Sequence, residues 1–166
     1  SGTDVLRNKF DIRDSDALAS VEGSITMIKM MDLDIHPVEG KFDSGHLKEI
    51  HRRIFSDIYE WAGEYRTVEI SKGIPFCRCE YIQSELDRVL NQLKSENLLK
   101  NIDDRSFMIS RLAYYMSEIN AIHPFREGNG RVQRKFIEQI ARNAGFELNL
   151  DSIGSKEMSN AGLASM

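Results

Sequence analysis

Cysteine and proline are scarce in this chain, which has two cysteines and three prolines among its 166 residues. Cys77 and Cys79 are separated by one residue, so a disulfide between them is disfavoured, and two thiols without further cysteine or nearby histidine do not make a zinc site. We therefore expect two reduced thiols in a cytoplasmic protein, or in one secreted without a cleaved signal. The sequence also lacks a signal peptide and any apolar run long enough to cross a membrane, so no membrane partner is expected.

An excess of positive charge is absent as well, because the formal net charge is −4. This balance gives no general attraction to nucleic acid, and it makes a local basic cluster at residues 126–135 stand out. With 41% hydrophobic and 29% charged residues, the composition is that of one folded domain, which we expect to span residues 1–166. Ser1 and Gly2 are interpreted as residues left by cloning.

Apolar residues recur at helical spacing over most of the chain, which predicts an all-α helical bundle. Before residue 123 we expect four helices: one capped by Ser15, one capped by Asp43 and stopped by Gly63, one from about Glu80, and one after Asp104. The residues expected to face the core of these helices are Leu18, Val21, Ile25 and Ile28; Leu47, Ile50, Ile54, Ile58 and Trp61; Ile82, Leu86, Val89, Leu90 and Leu93; and Met108, Leu112, Tyr115, Ile119 and Ile122. His36, His46 and His51 are predicted to be structural or exposed, since none has a metal-ligand spacing.

Residues 66–76 break the helical pattern and predict a short β-hairpin. Val68 and Ile70 alternate with polar neighbours, Lys72 and Gly73 form a turn signal, and the alternation then resumes through Ile74 and Phe76. A two-stranded hairpin has an open edge, which can accept an extended peptide by backbone pairing. The alternative is a structural hairpin that only covers the core.

The string His-Pro-Phe-Arg-Glu-Gly-Asn-Gly-Arg-Val-Gln-Arg at residues 123–134 is typical of a phosphate site. Val132, Phe136, Ile137, Ile140, Ala141 and Ala144 recur at helical period after it, so Gly128, Asn129 and Gly130 are predicted to be the turn into a fifth helix. Cations in the first turn of a helix oppose its dipole unless an anion lies between them, and here the first turn carries basic side chains. Glycines would let the backbone approach that anion. The basic side chains are Arg131, Arg134 and Lys135.

Glu127 and His123 acquire roles from this setting. A carboxylate in a phosphate site repels the phosphates unless a divalent cation lies between them, so Glu127 is the candidate Mg²⁺ ligand. An imidazole at the mouth of the loop is mostly a free base at neutral pH, so His123 is the candidate general base. Phe125 is expected to be buried under the loop and to fix it.

The string resembles the signature of the Fic domain family, His-x-Phe-x-(Asp/Glu)-Gly-Asn-Gly-Arg-x-x-Arg, at every fixed position. Residues 57–68 and 70–73 are similar to the part of that family that precedes and forms its target-binding flap. The resemblance implies a bacterial protein adenylyltransferase that moves AMP from ATP to a Tyr, Ser or Thr hydroxyl of a target protein. It also implies a Fic-type bundle with a flap at about residues 66–77 beside the motif.

The resemblance assigns a role to each site residue, with Mg²⁺ as the cofactor and ATP as the co-substrate. His123 would be the base and Glu127 the metal ligand, whereas Gly128, Asn129 and Gly130 would form the anion cradle. Arg131 would hold the β-phosphate and Arg134 the γ-phosphate. The residues of the flap that would dock the target are Ile70, Ser71, Lys72, Gly73, Ile74 and Phe76.

Two other functions remain open at the level of sequence. Doc-like toxins have lysine where Gly130 stands and resemble kinases, so Gly130 favours AMP transfer over phosphate transfer. A non-catalytic nucleotide-binding module would keep the loop for affinity alone, but it would not need a neutral imidazole at His123. The transferred group could also be another nucleotide.

Inhibition is expected to come from outside the chain. Many Fic proteins carry a glutamate in a (Ser/Thr)-x-x-x-Glu-(Gly/Asn) helix that pairs with the second arginine of the motif. Glu22 and Gly23 match the end of that pattern, but Leu18 stands where Ser or Thr is needed, so we expect the first helix to be a core element. The sequence is then that of a chain lacking its inhibitory segment, or of a toxin whose inhibitor is a separate small antitoxin protein.

Overall fold

The computed structural model describes residues 5–150, and these form five α-helices and one minimal β-ladder. The ends of the predicted domain, including Ser1 and Gly2, lie outside the described residues. The elements in chain order are α1 (Ser15–Ile35), α2 (Ser44–Phe55), β1 (Ser71–Lys72), β2 (Ile74–Pro75), α3 (Ile82–Ser95), α4 (Arg105–Ile122) and α5 (Asn129–Asn143), with short 3₁₀ turns at Cys79–Tyr81 and Asn97–Leu99. The predicted all-α class is confirmed. Among the described residues, no helix is both long enough and apolar enough to span a membrane.

In α3 and α4 the core-facing residues are those that the helical periodicity of the sequence predicts. Every core position predicted for these two helices is buried, and Asp104 caps α4 by accepting the Phe107 N–H at 2.6 Å. Asp43 likewise caps α2, accepting the His46 N–H at 3.0 Å. Such caps satisfy N–H groups that have no partner within the helix. α5 packs against both α2 and α4, which places the start of α5 beside the end of α4.

The predictions for α1 and α2 are wrong in three details. Asp14, not Ser15, caps α1, and Ile28 is 64% exposed because the described elements that pack on α1 cover its other side. α2 ends at Phe55 rather than at Gly63, because the chain turns there and returns across its own helix. That turn still buries Ile58, and it brings the Gly63 N–H to 2.8 Å from Nδ1 of His51.

The predicted hairpin forms over only four residues. Ser71 pairs with Pro75 and Lys72 with Ile74, in antiparallel register around Gly73, whose φ is 80°. The alternation at residues 66–70 does not become a strand. Val68 is 45% exposed, its carbonyl accepts from the Arg66 side chain at 3.0 Å, and the Arg66 N–H donates to the Pro124 carbonyl at 2.9 Å. The flap (residues 66–77) is thus an extended loop with a short ladder at its tip.

Candidate active site

The N-terminus of α5 forms a cradle of backbone N–H groups. Gly128 precedes the helix with a φ of 79°, and within residues 5–150 no side chain caps this end. The first N–H groups of a helix carry partial positive charge and lack intrahelical partners, so they favour an anion. A Cβ built at Gly128 would lie 2.1 Å from Cζ of Phe55, whereas one at Gly130 would meet nothing within 4 Å. Gly128 therefore lets the loop pack on the core, and Gly130 leaves open space in front of the amides.

Asn129 closes the motif loop with its side chain. Its Oδ1 accepts the Phe125 N–H at 2.9 Å and its Nδ2 donates to the Phe125 carbonyl at 2.8 Å. The sequence placed Asn129 in the anion cradle, but its buried carboxamide is occupied by the loop itself, which limits its part in anion binding to the backbone N–H. Phe125 is buried as predicted, and its ring centroid lies 4.1 Å from that of His51.

His123 ends α4 in a left-handed backbone conformation, with φ of 52° and ψ of 63°. A residue other than glycine is uncommon in this region, and such residues cluster at functional sites. His123 is 8% exposed. Its imidazole ring stacks on the ring of Phe76, with the ring centroids 3.8 Å apart and an angle of 9° between the planes. The flap therefore contacts the candidate base directly.

The environment of His123 keeps its imidazole neutral. Burial, with a further contribution from the positive charge of Lys72, lowers the pKa of His123 to about 4. Both causes disfavour the imidazolium form. A neutral ring is what a general base needs at physiological pH, because only the unprotonated nitrogen can accept a proton.

This pKa predicts an unusual pH dependence for any reaction that uses His123 as its base. Because the pKa is about 4 rather than 6.5, kcat/KM for ATP should stay nearly flat as the pH falls from about 8 to about 5.5 and should drop only below that. The profile is measured by label transfer from ATP to protein over this range. An acid limb centred near the ordinary histidine pKa, beyond the one that protonation of ATP itself produces, would contradict the assignment.

Folding stability must be measured alongside that profile. Burial also lowers the pKa of His51 to about 4, so between pH 4 and pH 6.5 the unfolded chain binds more protons than the folded chain at both His51 and His123. The free energy of unfolding therefore decreases as the pH falls through this window. Rates are corrected for the folded fraction, obtained from urea unfolding at each pH.

Glu127 is suited to a divalent cation bound together with phosphate. Its side chain is 44% exposed, its Oε1 accepts the Gly128 N–H at 2.8 Å, and the same oxygen lies 3.5 Å from Nη2 of Arg131. Among the described residues, no cluster of three or more His, Cys, Asp or Glu side chains could hold a metal ion. One exposed carboxylate beside an anion cradle fits Mg²⁺, which usually binds through one or two carboxylates plus phosphate oxygens and water.

Arg131 and Lys135, two of the three basic side chains at the start of α5, are paired with acidic side chains of α1. Arg131 donates to Glu22 Oε1 at 2.5 Å and to Thr26 Oγ1 at 2.9 Å, and its guanidinium lies 4.8 Å from the ring centroid of Phe55. Glu22 also accepts a hydrogen bond from the Tyr59 hydroxyl. Of the four positions predicted to face the core from α1 only Leu18 is buried, and Glu22 on the same helix contacts the first arginine of the motif.

Lys135 does not belong to the site. It is 2% exposed and forms ion pairs with Asp34 at 2.8 Å and Glu138 at 3.1 Å, which direct its ammonium group into the contact between α5 and α1. Arg134 is half-buried, one turn after Arg131 on α5.

A pocket of about 240 Å³, open to solvent, lies between the flap and the motif. Its lining brings together most of the predicted residues: Ile70, Ser71, Lys72 and Phe76 from the flap, and His123, Arg126, Glu127, Gly128, Asn129 and Gly130 from the motif. Gly73 and Ile74 lie at the exposed tip of the ladder instead, and Arg131 and Arg134 are not part of the lining.

Sequence reasoning missed two residues that support the site. His51 is fully buried, with Nε2 3.1 Å from the Glu127 carbonyl, and Arg66 is 3% exposed and donates to the His123 carbonyl at 2.7 Å. His51 had a detectable signal, since it interrupts the apolar face of α2 beside Ile50 and Ile54. Arg66 had none, because nothing in its neighbours distinguishes it from a solvent-exposed arginine.

Comparison with known proteins identifies the architecture. The Fic/DOC family is matched over residues 41–141. A solved structure of the BepC protein of Bartonella tribocorum with bound AMPPNP is similar with a TM-score of 0.89 and 26% identity, covering 99% of this chain and 86% of that one.

Two curated relatives are similar in sequence. The protein adenylyltransferase VbhT of Bartonella schoenbuchensis is 41% identical over 98% of this chain, which spans 34% of that protein's length. The probable protein adenylyltransferase Fic of Escherichia coli is 35% identical over 96% of this chain, which spans 79% of that protein. The chain thus corresponds to about a third of the first relative and to most of the second.

Proposed function

Because this chain belongs to the Fic/DOC family, we propose that it is a protein adenylyltransferase, which transfers AMP from ATP to a hydroxyl side chain of a target protein. The observation that carries the proposal is the pocket, where a neutral imidazole and an N-terminal amide cradle face the same space. An amide cradle alone would suit any phosphate binder, but the buried, neutral base suits proton removal from an attacking hydroxyl. Relatives named protein adenylyltransferases support the same activity.

In the proposed reaction His123 accepts the proton of the target hydroxyl as that oxygen attacks the α-phosphorus of ATP. The new oxygen–phosphorus bond replaces the bond between the α-phosphorus and the bridging oxygen, and pyrophosphate leaves. The N–H groups at the start of α5 stabilise the negative charge on the phosphates, with Arg131 on the β-phosphate and Arg134 on the γ-phosphate. Mg²⁺ held by Glu127 would supply further charge neutralisation on the phosphates when bound.

Glu22 and Thr26 fit this role for Arg131. Thr26 accepts one hydrogen bond from Nη1 of Arg131, and Glu22 accepts one from Nη2. The remaining N–H groups of the guanidinium can still donate to a phosphate. An arginine held on one side by a carboxylate is fixed in direction, so it loses less side-chain entropy when the anion binds.

The target would be a protein that presents a Tyr, Ser or Thr hydroxyl above the pocket, docked on the open edge of the flap. The two free cysteines, both half-buried, fit a reducing compartment, so we propose the bacterial cytoplasm as the place of action. A separate small inhibitory protein is proposed as a further partner.

The flap prediction is tested at Ser71. In an antiparallel ladder the hydrogen-bonded pairs alternate, and Phe76 N–H donates to the Ile70 carbonyl at 3.2 Å, so the N–H of Ser71 should point away from β2. Ser71→Pro removes that donor, and we expect it to reduce target modification about tenfold or more while ATP affinity stays within a few-fold.

Ser71→Ala is the matched control, because it keeps the backbone N–H and should modify targets like the wild type. ATP affinity is measured by calorimetry and target modification by label transfer. Equal losses of ATP binding and target modification in Ser71→Pro would indicate a role in folding instead of docking.

The activity itself is tested with purified protein, Mg²⁺, α-labelled ATP and a bacterial lysate, followed by identification of the labelled protein and side chain. We expect label on a hydroxyl side chain, and a strong loss of labelling in Glu127→Ala that added Mg²⁺ does not restore. Labelling that is fully retained without any divalent ion would reject the metal assignment, and absence of protein labelling would reject the proposed activity.

A further inference from the structure

Arg66 is a buried cation without a buried counter-ion among the described residues. Its side chain is fully buried, and the carboxylate nearest to it, Glu69, lies 3.5 Å away with 62% of its side chain exposed. Burying a guanidinium is unfavourable unless its donors are satisfied, so the positions of its acceptors indicate what the residue does. Its acceptors lie at the end of α4, in the flap, and at Cys79, which starts the 3₁₀ turn directly after the flap.

One side of the guanidinium binds the end of α4. Its Nε donates to the His123 carbonyl at 2.7 Å, and its Nη2 donates to the Ile122 carbonyl at 3.2 Å. The last carbonyls of a helix have no intrahelical donor, and here a charged donor supplies one. These bonds fix the peptide groups on both sides of the left-handed turn at His123, a conformation that needs support from its surroundings.

The other side of the guanidinium binds both ends of the flap. Nη1 donates to the Val68 carbonyl at 3.0 Å and contacts Cys79 Sγ at 3.1 Å, and Nη2 also donates to the Cys77 carbonyl. Five donor hydrogens on a rigid planar fork can span these two groups of acceptors, whereas the single ammonium group of lysine cannot.

The backbone reinforces the same connection. The Arg66 N–H donates to the Pro124 carbonyl at 2.9 Å, and the Cys77 N–H donates to the Ala121 carbonyl at 3.2 Å. The two ends of the flap are therefore attached to the two sides of His123, and the Phe76 ring stacks on the imidazole between them.

We propose that Arg66 is a positioning residue that sets the direction of the His123 imidazole and couples it to the flap, so that base and target-docking segment keep one relative geometry. The proposal rests on the proposed function, in which His123 is the base and the flap docks the target. Arg66 itself does not line the pocket. Its effect on transfer would act through His123 and through the flap.

The test compares Arg66→Lys with Arg111→Lys. Arg111 is also mostly buried, and it donates two hydrogen bonds to Glu96, from Nε at 3.0 Å and from Nη2 at 2.6 Å. It does not line the pocket. We measure kcat, KM for target, ATP affinity by calorimetry, and amide hydrogen exchange in peptides that cover residues 66–77, 119–125 and 82–95. The third peptide reports on α3 and serves as an internal reference.

For Arg66→Lys we expect kcat to fall about 100-fold, since small displacements of reacting groups have effects of this size. KM for the target should rise, ATP affinity should stay within a few-fold, and exchange should accelerate at residues 66–77 and 119–125 but not at 82–95. Arg111→Lys should leave kcat and exchange in the first two peptides unchanged.

Two results would overturn the proposal. One is a near-normal kcat in Arg66→Lys, and the other is faster exchange in all three peptides with an activity loss equal to the unfolded fraction, which would make Arg66 merely structural. If the wild type transfers no label, the proposed function fails. Selective acceleration at residues 66–77 and 119–125 would then still support the link between flap and His123, and unchanged exchange there would refute it.

Discussion

Replacing His123 by alanine is expected to lower the rate of AMP transfer by about 100-fold to 10,000-fold, the usual effect of removing a general base. ATP affinity should stay within a few-fold, because the phosphates are bound at the start of α5 and not by the imidazole. The physical reason for assigning His123 this role is that its imidazole is neutral. Burial and the positive charge of Lys72 lower its pKa to about 4. The rate is measured by transfer of α-label, and ATP affinity by calorimetry.

Alanine changes the backbone preference of position 123 as well as its chemistry, so a second variant is needed. His123→Asn also lacks an effective base, but asparagine adopts the left-handed conformation more readily than most residues, which suits the φ of 52° at this position. Both variants should show this loss of rate with near-normal unfolding temperatures. Turnover close to the wild-type value in either one would refute the mechanism.

The second large effect is expected at Gly128. Alanine there would combine a positive φ of 79° with a Cβ 2.1 Å from Phe55 Cζ. Left-handed strain costs roughly 1–2 kcal/mol and overpacking roughly 1–3 kcal/mol, so Gly128→Ala should destabilise the fold by about 2–5 kcal/mol and displace the amide cradle. We expect loss of ATP binding even under conditions where the variant is folded.

Gly130→Ala is the matched comparison, because its Cβ would meet nothing within 4 Å. Alanine is a better helix former than glycine, so the free energy of unfolding should be unchanged or should rise by up to about 1 kcal/mol. The methyl group would enter the pocket where the phosphates are proposed to lie, and KM for ATP should rise. Urea unfolding and ATP titration of both variants check the pair, and equal destabilisation by the two substitutions would contradict the packing argument.

The helices were predictable where local signals agreed. In α3 and α4 an apolar residue recurs at each turn, and Asp104 provides the cap of α4, so sequence alone located the core face. The end of α2 was not predictable, because apolar residues continue at helical spacing through Ile58 after the helix has ended. Only the tertiary contact between Gly63 and His51 shows why the chain turns there.

The residues of the candidate site likewise fall into those that the sequence predicted and those that it did not. The anion cradle, the base and the candidate metal ligand lie within one contiguous string, where each residue is explained by its neighbours. The supports of that string come from distant parts of the chain: Glu22 from α1, His51 from α2 and Arg66 from the flap. Glu22 and His51 left partial signals, one as a match to the end of the inhibitory pattern and the other as an interruption of the apolar face of α2, whereas Arg66 left none. In all three cases the partners, which are backbone carbonyls and one arginine, became known only from the coordinates.

The central claim, AMP transfer by this pocket, is tested most directly by running two reactions side by side, one with α-labelled and one with γ-labelled ATP. Each reaction contains Mg²⁺ and the same protein substrate, and His123→Asn serves as the control. We predict α-label on the substrate, release of pyrophosphate, no γ-label on the substrate, and transfer that is about 100-fold or more slower in the variant. Label from the γ-position with release of ADP would contradict the claim and indicate a phosphotransferase instead.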